Sequence, residues 1–214
     1  MKGKTIGLLI LILVFIDQAI KIYVKTNFYY GEERLVFDWF RIHFIENPGM
    51  AWGLKLGKGD MGKLALTLFR LAAVVWGTFY IKRIIREKYH PGFIVSVGFI
   101  YAGALGNLID SLFYGVIFEK SDPVMQNIAN AFTAQSGYAG FMFGHVVDMW
   151  YFPIIRTTLP DWLPIRGGKY FEFFSPVFNT ADVWVSTGVI SILVFQKKFF
   201  KKTNATASGP ATIE

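Results

Sequence analysis

The chain has 214 residues, enough for one domain. With 53% hydrophobic, 18% aromatic and only 17% charged residues it is too apolar to be disordered, and its lack of cysteine excludes a disulfide scaffold or a thiolate metal site. A net charge of +7 would suit nucleic acid, but the basic residues flank long apolar runs, which is the arrangement of a membrane protein.

Residues 5–24 are the first run of roughly 20 mostly apolar residues, the length that crosses a hydrocarbon layer. Lys2 and Lys4 ahead of it also suit a cleaved leader, but no small-x-small cleavage pattern follows. Asp17-Gln-Ala-Ile-Lys21 follows instead, and the span resumes to Val24. Residues 35–45 alternate imperfectly and are rich in aromatic and β-branched types, predicting one or two strands broken by Asn47-Pro48-Gly49. Residues 64–81 and 92–112 are the second and third spans. Residues 113–181 form a long loop punctuated by Pro123, Pro153, Pro160, Pro164 and Gly167-Gly168, with a short helix predicted over 126–135. Residues 183–200 are the fourth span, and 203–214 a small, polar, disordered tail.

Lysine and arginine set the direction. Segments 1–4, 82–91 and 197–214 carry ten of the 22, and the loops 25–63 and 113–181, over three times as long together, carry ten more. The dense short segments therefore face the cytoplasm, with both termini inside and the two long loops outside. Trp39, Trp52, Trp150, Trp162 and Trp184 fall in those loops or at the outer end of the last span. They fit either loops resting on the headgroup layer or the cores of small outer subdomains.

Ionisable groups inside spans are costly, and they mark function or a buried pair. The spans and their edges hold Asp17, Lys21, Arg70, Asn107, Asp110, Asn179 and Asp182, with His145 and Asp148 just ahead of the last span. In the alternating topology all of them reach one depth, near the outer surface. Asp17 and Lys21, at i, i+4, are read as a neutralising ion pair that lets the helix insert. Arg70 is expected to snorkel to lipid phosphate or to pair with a carboxylate, and Asn107 to cross-link helices. Gly98, Ala102 and Gly106 recur every four residues as a packing seam. Asp110, Asp148 and Asp182 are harder to explain structurally. Carboxyl groups crowded together split their titration, and such a pair can activate water and polarise a carbonyl without a metal or cofactor. His-Glu-x-x-His and Gly-x-Ser-x-Gly are absent. A metal site from His43, His145 and an aspartate is a minor alternative. His145 is expected to hydrogen-bond Asp148 at i, i+3.

Five blocks occur in order: Asp17-Gln-Ala-Ile-Lys21, Asn47-Pro-Gly-Met-Ala-Trp-Gly53, Gly103-Ala-Leu-Gly-Asn-Leu-Ile-Asp110, Val146-Val-Asp148 and Phe178-Asn-Thr-Ala-Asp182. Together they resemble the signature of bacterial lipoprotein signal peptidase (signal peptidase II). The resemblance implies an intramembrane aspartic endopeptidase that removes the signal peptide of diacylglyceryl-modified prolipoproteins, cutting before the lipidated cysteine. It maps the catalytic pair onto Asp148 and Asp182. Asp17, Lys21, Asn47, Gly49, Asn107, Asp110 and Asn179 then match positions that bind substrate or support the site. It also implies an outer-loop sheet lying on the membrane. The chain departs from the pattern where Ser111 stands for the usual arginine after Asp110, leaving Arg70, Arg156 or Arg166 to supply that charge. Trp52 and Met149 replace usual phenylalanines. The spacings from Asp110 to Asp148 and from Asp148 to Asp182 are longer than the compact pattern, through insertions at 113–145 and 151–177.

The expectation is an all-α membrane protein with four transmembrane helices, a small extracytoplasmic β-sheet and long outer loops (25–63 and 113–182). Residues 1–202 form one peptidase domain in the bacterial inner membrane, with the site near its outer face. Its partners are a lipidated prolipoprotein and membrane lipids, with no nucleic acid, no cofactor and no metal, and the chain acts as a monomer. The rival reading is a small ion- or proton-coupled transporter, whose carboxylates should be spread through the bilayer thickness. A non-enzymatic chaperone or lipid-binding module is the third.

Overall fold

The computed structural model describes residues 3–48, 60–162, 164, 168–173 and 176–200. Gly49, Trp52, Arg166 and the expected tail 203–214 lie outside the described residues. Helix α1 (Gly3–Lys25), helix α2 (Asp60–Arg86) and the helical segment Pro91–Ile117 are each long and apolar enough to cross a membrane. Leu8, Leu11 and Phe15 on α1, and Phe69, Trp76 and Phe79 on α2, are exposed, as side chains turned toward lipid are. Helix α3 (Pro91–Ile109) starts on a proline, whose fixed φ suits the first turn, and His90 accepts the Gly92 N–H. Past Ile109 it widens into a π-turn (Asp110–Tyr114) and a last α-turn, α4 (Gly115–Ile117). A further helix, α5 (Thr180–Phe199), packs along α3.

The α3–α5 contact is closer than a side chain permits. A Cβ on Gly103 would lie 2.2 Å from the Ala181 carbonyl oxygen, and one on Gly188 would lie 2.4 Å from that of Ser96. The predicted seam faces another way, toward α1: Gly98 meets Ile6, and Gly106 meets Asp17. Gly103→Ala should therefore wedge α3 from α5 and cost about 1–3 kcal/mol, read as a lower unfolding midpoint. An unchanged midpoint would show that the helices can part freely.

Two strands occupy the stretch predicted to hold one or two: β1 (Glu33–Phe37) and β2 (Phe40–Asn47) pair as an antiparallel hairpin. It is half of a four-stranded antiparallel sheet completed by β3 (Val146–Tyr151) and β6 (Val177–Phe178), in the order β1-β2-β3-β6. Strands β4 (Ile155–Thr158) and β5 (Tyr170–Phe173) make a separate hairpin. The all-α expectation is thus corrected, because the second long loop supplies four strands. Val146–Tyr151 is β-branched and aromatic at its ends, and its backbone groups are satisfied by β2 on one side and β6 on the other. Val24, Phe28, Phe44, Tyr114, Phe118, Val147 and Met149 form the core joining α1, the π-turn and the sheet.

The helix predicted over 126–135 is absent. Ala131 pairs with Phe118 in an isolated bridge, and Gln126 and Phe132 have φ of 49° and 57°, values outside the right-handed helical region.

Candidate active site

Two β-strands and a helix cap place the carboxyl pair. Asp148 sits in β3 opposite Ile45, and Trp150, two residues on, pairs with Phe178 at the end of β6. The chain leaves β6 directly into Asn179, the extended N-cap of α5. Asn179 Oδ1 accepts the Asp182 N–H at 3.1 Å, and Asp182 Oδ2 accepts the Asn179 N–H at 3.3 Å, a reciprocal capping box. The amide nitrogen of Asn179 then donates to Asp148 Oδ1 at 2.6 Å. One asparagine thus holds both aspartates, 34 residues apart in sequence.

Behind the pair lies a dry network. Asn107 donates to Asp182 Oδ1 at 3.0 Å and accepts from Lys21 Nζ at 2.8 Å. Lys21 also meets Asp17 and Asp110, each at 2.9 Å, and all three side chains are fully buried. Asp110 Oδ2 takes the backbone N–H of Val147 at 3.4 Å, joining the bundle to the residue before Asp148. The expected Asp17–Lys21 pair is present, enlarged to a triad.

Gln18 carries no charge and so does not stand out among the ionisable groups, although a glutamine within a span is itself a signal. It donates to Asp110 Oδ1 at 2.9 Å and accepts from the Tyr114 hydroxyl at 3.2 Å. Asn47 also hydrogen-bonds Asp148. Arg70 pairs with no carboxylate among the described residues; it donates to Ser111 Oγ at 2.7 Å, and Ser111 Oγ donates to the Asn107 carbonyl at 2.9 Å. A guanidinium therefore reaches the position after Asp110, carried by α2 and delivered through Ser111.

Burial pushes Asp148 up from the ordinary 3.8 to about 7, and the neighbouring charge of Asp182 adds to the rise. The Asn179 hydrogen bond works in the opposite direction. Asp148 is only 3% exposed, whereas Asp182 is half-buried, so the pair opens on the Asp182 side.

The histidine expectations need correction. Residues 146–151 are extended, so Asp148 shares no helical face with His145. His145 Nδ1 lies 3.3 Å from Glu46 instead, and His43 contacts Glu33. Glu46 also bonds Lys25 and Ser121. Burial raises Glu46, but the His145 hydrogen bond, the Lys25 charge and the remaining bonds outweigh it and hold the carboxyl below its usual value. This second buried cluster clamps the end of α1 to the sheet. Among the described residues, no three His, Asp or Glu side chains converge as metal ligands.

Asn179 thus brings two carboxyl groups to one site, near enough that the charge of Asp182 acts on Asp148. A family model described as signal peptidase (SPase) II matches residues 9–198. A lipoprotein signal peptidase of Porphyromonas gingivalis is 45% identical over 194 residues, covering 90% of this chain and 83% of the relative. One of Amoebophilus asiaticus is 32% identical, over 88% and 75%. Two solved structures of a bacterial membrane enzyme, obtained by the in meso method, align with TM-scores of 0.57 and 0.55. They are 24% and 25% identical and cover 95% and 92% of this chain and 94% of each of theirs.

Proposed function

The chain belongs to the signal peptidase II family, and on that premise we propose that it is an aspartic endopeptidase that removes signal peptides from diacylglyceryl-modified prolipoproteins, cutting before the lipidated cysteine. Asp148 and Asp182 are the catalytic pair. The observation that carries the reading is the bridge made by Asn179, which bonds one carboxyl through its amide and the other through its backbone N–H.

In the reaction, Asp148 keeps the shared proton near neutral pH and hydrogen-bonds the scissile carbonyl, while Asp182 takes a proton from water as the water attacks. The tetrahedral centre collapses when the leaving amine receives a proton from the pair. Asn107 and Asn179 hold Asp182, and Lys21, Asp110 and Gln18 hold Asn107 and β3, so the geometry exists before substrate arrives. The acyl chains of the precursor stay in the bilayer while its modified cysteine meets the pair near the surface. The proposed setting is the bacterial inner membrane, with α5 as a fourth span, both termini inside and the sheet outside. The carboxylates of Asp17, Asp110, Asp148 and Asp182 lie in one bonded cluster, which suits hydrolysis better than a relay across the bilayer.

Purified protein given a diacylglyceryl-modified precursor and its unmodified twin should cut only the lipidated form. Equal cleavage of both, or of neither, rejects the assignment. The pH profile offers a second test. Asn179 stabilises the ionised form of Asp148, so Asn179→Ala should raise that acid further and move the alkaline limb of the rate to higher pH. It should also cost about 1 kcal/mol as a lost N-cap. A limb that stays put would separate Asn179 from the proton of the pair.

A further inference from the structure

The insertion between α4 and β3 is stitched along the outer end of the third span. Phe132 N–H donates to Ile117 O at 2.9 Å, Ala139 to Gly115 O at 3.0 Å, Met142 to Leu112 O at 3.1 Å and Gly144 to Ser111 O at 2.9 Å. These bonds fix its height: Phe132 is level with Ile117, where the candidate span ends, and Phe141 lies one turn deeper, beside Phe113. At that level the outward surface is aromatic and apolar. Phe132 is 83% exposed, Phe141 54%, Val116 48% and Phe113 43%, and the Phe141 ring meets Phe113 edge-on at 5.6 Å.

This exposure is built into the loop. Phe132 and Met142 hold φ of 57° and 75°, left-handed conformations that cost a non-glycine residue roughly 1 kcal/mol each. The loop turns its polar groups onto itself: Glu119 accepts from the Asn130 backbone and from the Thr133 hydroxyl, and Thr133 N–H donates to Ser136. Strain is thus held on a well-bonded loop whose large rings point outward.

We propose that Phe113, Phe132 and Phe141, with Val116, form an aromatic shelf that seats in the bilayer–water boundary, its partner being the phospholipid interface itself. Phe113 and Val116 belong to the span, so the shelf continues a lipid-facing surface; rings at the level where a span ends lie between acyl chains and headgroups. The turn that carries Phe113 begins at Asp110, so seating the shelf also fixes the depth of the carboxyl network below that boundary.

The absence of cysteine makes the test direct. Single Phe132→Cys and Phe141→Cys variants of the full chain, nitroxide-labelled in phospholipid vesicles, are compared with Phe69→Cys on the exposed flank of α2 and Lys88→Cys beyond its end. Electron paramagnetic resonance power saturation should give both shelf labels more collisions with oxygen than with a water-soluble nickel chelate, as for Phe69. A label at Phe132 that follows Lys88 overturns the proposal. Should Phe132→Cys fold poorly, Phe141→Cys carries the same decision. The measurement needs no substrate, so its failure is distinct from failure of the peptidase reading.

Discussion

Asp148→Asn is expected to lower cleavage of a lipidated precursor by about 10³-fold or more while leaving the protein folded, and Asp182→Asn should do the same. Asp148→Asn differs from wild type in a second, opposite respect. Burial raises the Asp148 acid from 3.8 to about 7, so the folded chain holds this proton more tightly than the unfolded chain does. That contribution to stability is complete below pH 4 and is lost as pH climbs through 7. Asparagine carries no such proton, so Asp148→Asn should be more stable than wild type at pH 8, by a margin of up to about 4 kcal/mol, and should lose that advantage near pH 4. An inactive variant that is also more stable at alkaline pH marks a site that trades stability for chemistry. Retained activity would end the assignment of the pair, and a stability difference that ignores pH would end the account of the shared proton.

Lys21→Met should be the most destabilising single change, at about 3–5 kcal/mol, because removing one partner strands buried charge. Lys21 is the common cation of Asp17 and Asp110, and Asp17 Oδ1 already lacks a hydrogen-bond partner. Water cannot repair the loss, since Asp17, Lys21 and Asp110 have no exposed surface. Activity should fall as well, for a geometric reason. Lys21 Nζ occupies the carbonyl oxygen of the Asn107 amide and so turns its nitrogen toward Asp182. Adding Asp17→Asn to Lys21→Met should restore part of the stability by removing one stranded charge, yet leave activity low because Asn107 stays unoriented. Denaturant unfolding and cleavage assays on the single and double variants check both parts. A Lys21→Met protein with a wild-type midpoint would show that the triad holds nothing together.

Much of the site is legible in the chain because charge inside an apolar run is conspicuous. Asp17, Lys21, Asn107 and Asp110 stand out against spans that would otherwise be greasy, and helical spacing puts each pair on one face. The structure keeps these residues together and adds what spacing cannot give, namely which pairs cross between helices. Lys21 bonds Asp110 as closely as it bonds its own-helix neighbour Asp17. Gln18 draws little attention because it is an uncharged polar residue beside a charged one, yet it fixes Asp110, and Ser111, which stands where an arginine is usual, receives Arg70. Gly49, expected at the outer loop, lies outside the described residues.

The strands of the second loop were hidden for a different reason. Residues 146–151 are buried on both faces for most of their length, so they show no alternation to read. Residues 126–135, rich in alanine and glutamine and free of proline, read as a helix because local propensity ignores the bridge between Ala131 and Phe118. The π-turn at Asp110 is equally invisible: its freed carbonyls are satisfied by Met142 and Gly144, from a distant part of the sequence.

By itself the sequence determined that the chain is a membrane protein with long apolar helices and which polar residues its apolar runs carry, because hydropathy and the cost of buried charge act locally along a chain. Only the tertiary structure decided that Asp148 rides on a strand, that Asn179 ties it to Asp182, and that glycines at 103 and 188 let α5 approach α3 closely. Those facts depend on strand register and on contacts between distant segments, where a shift of one residue would turn the side chain of Asp148 to the other face of the sheet.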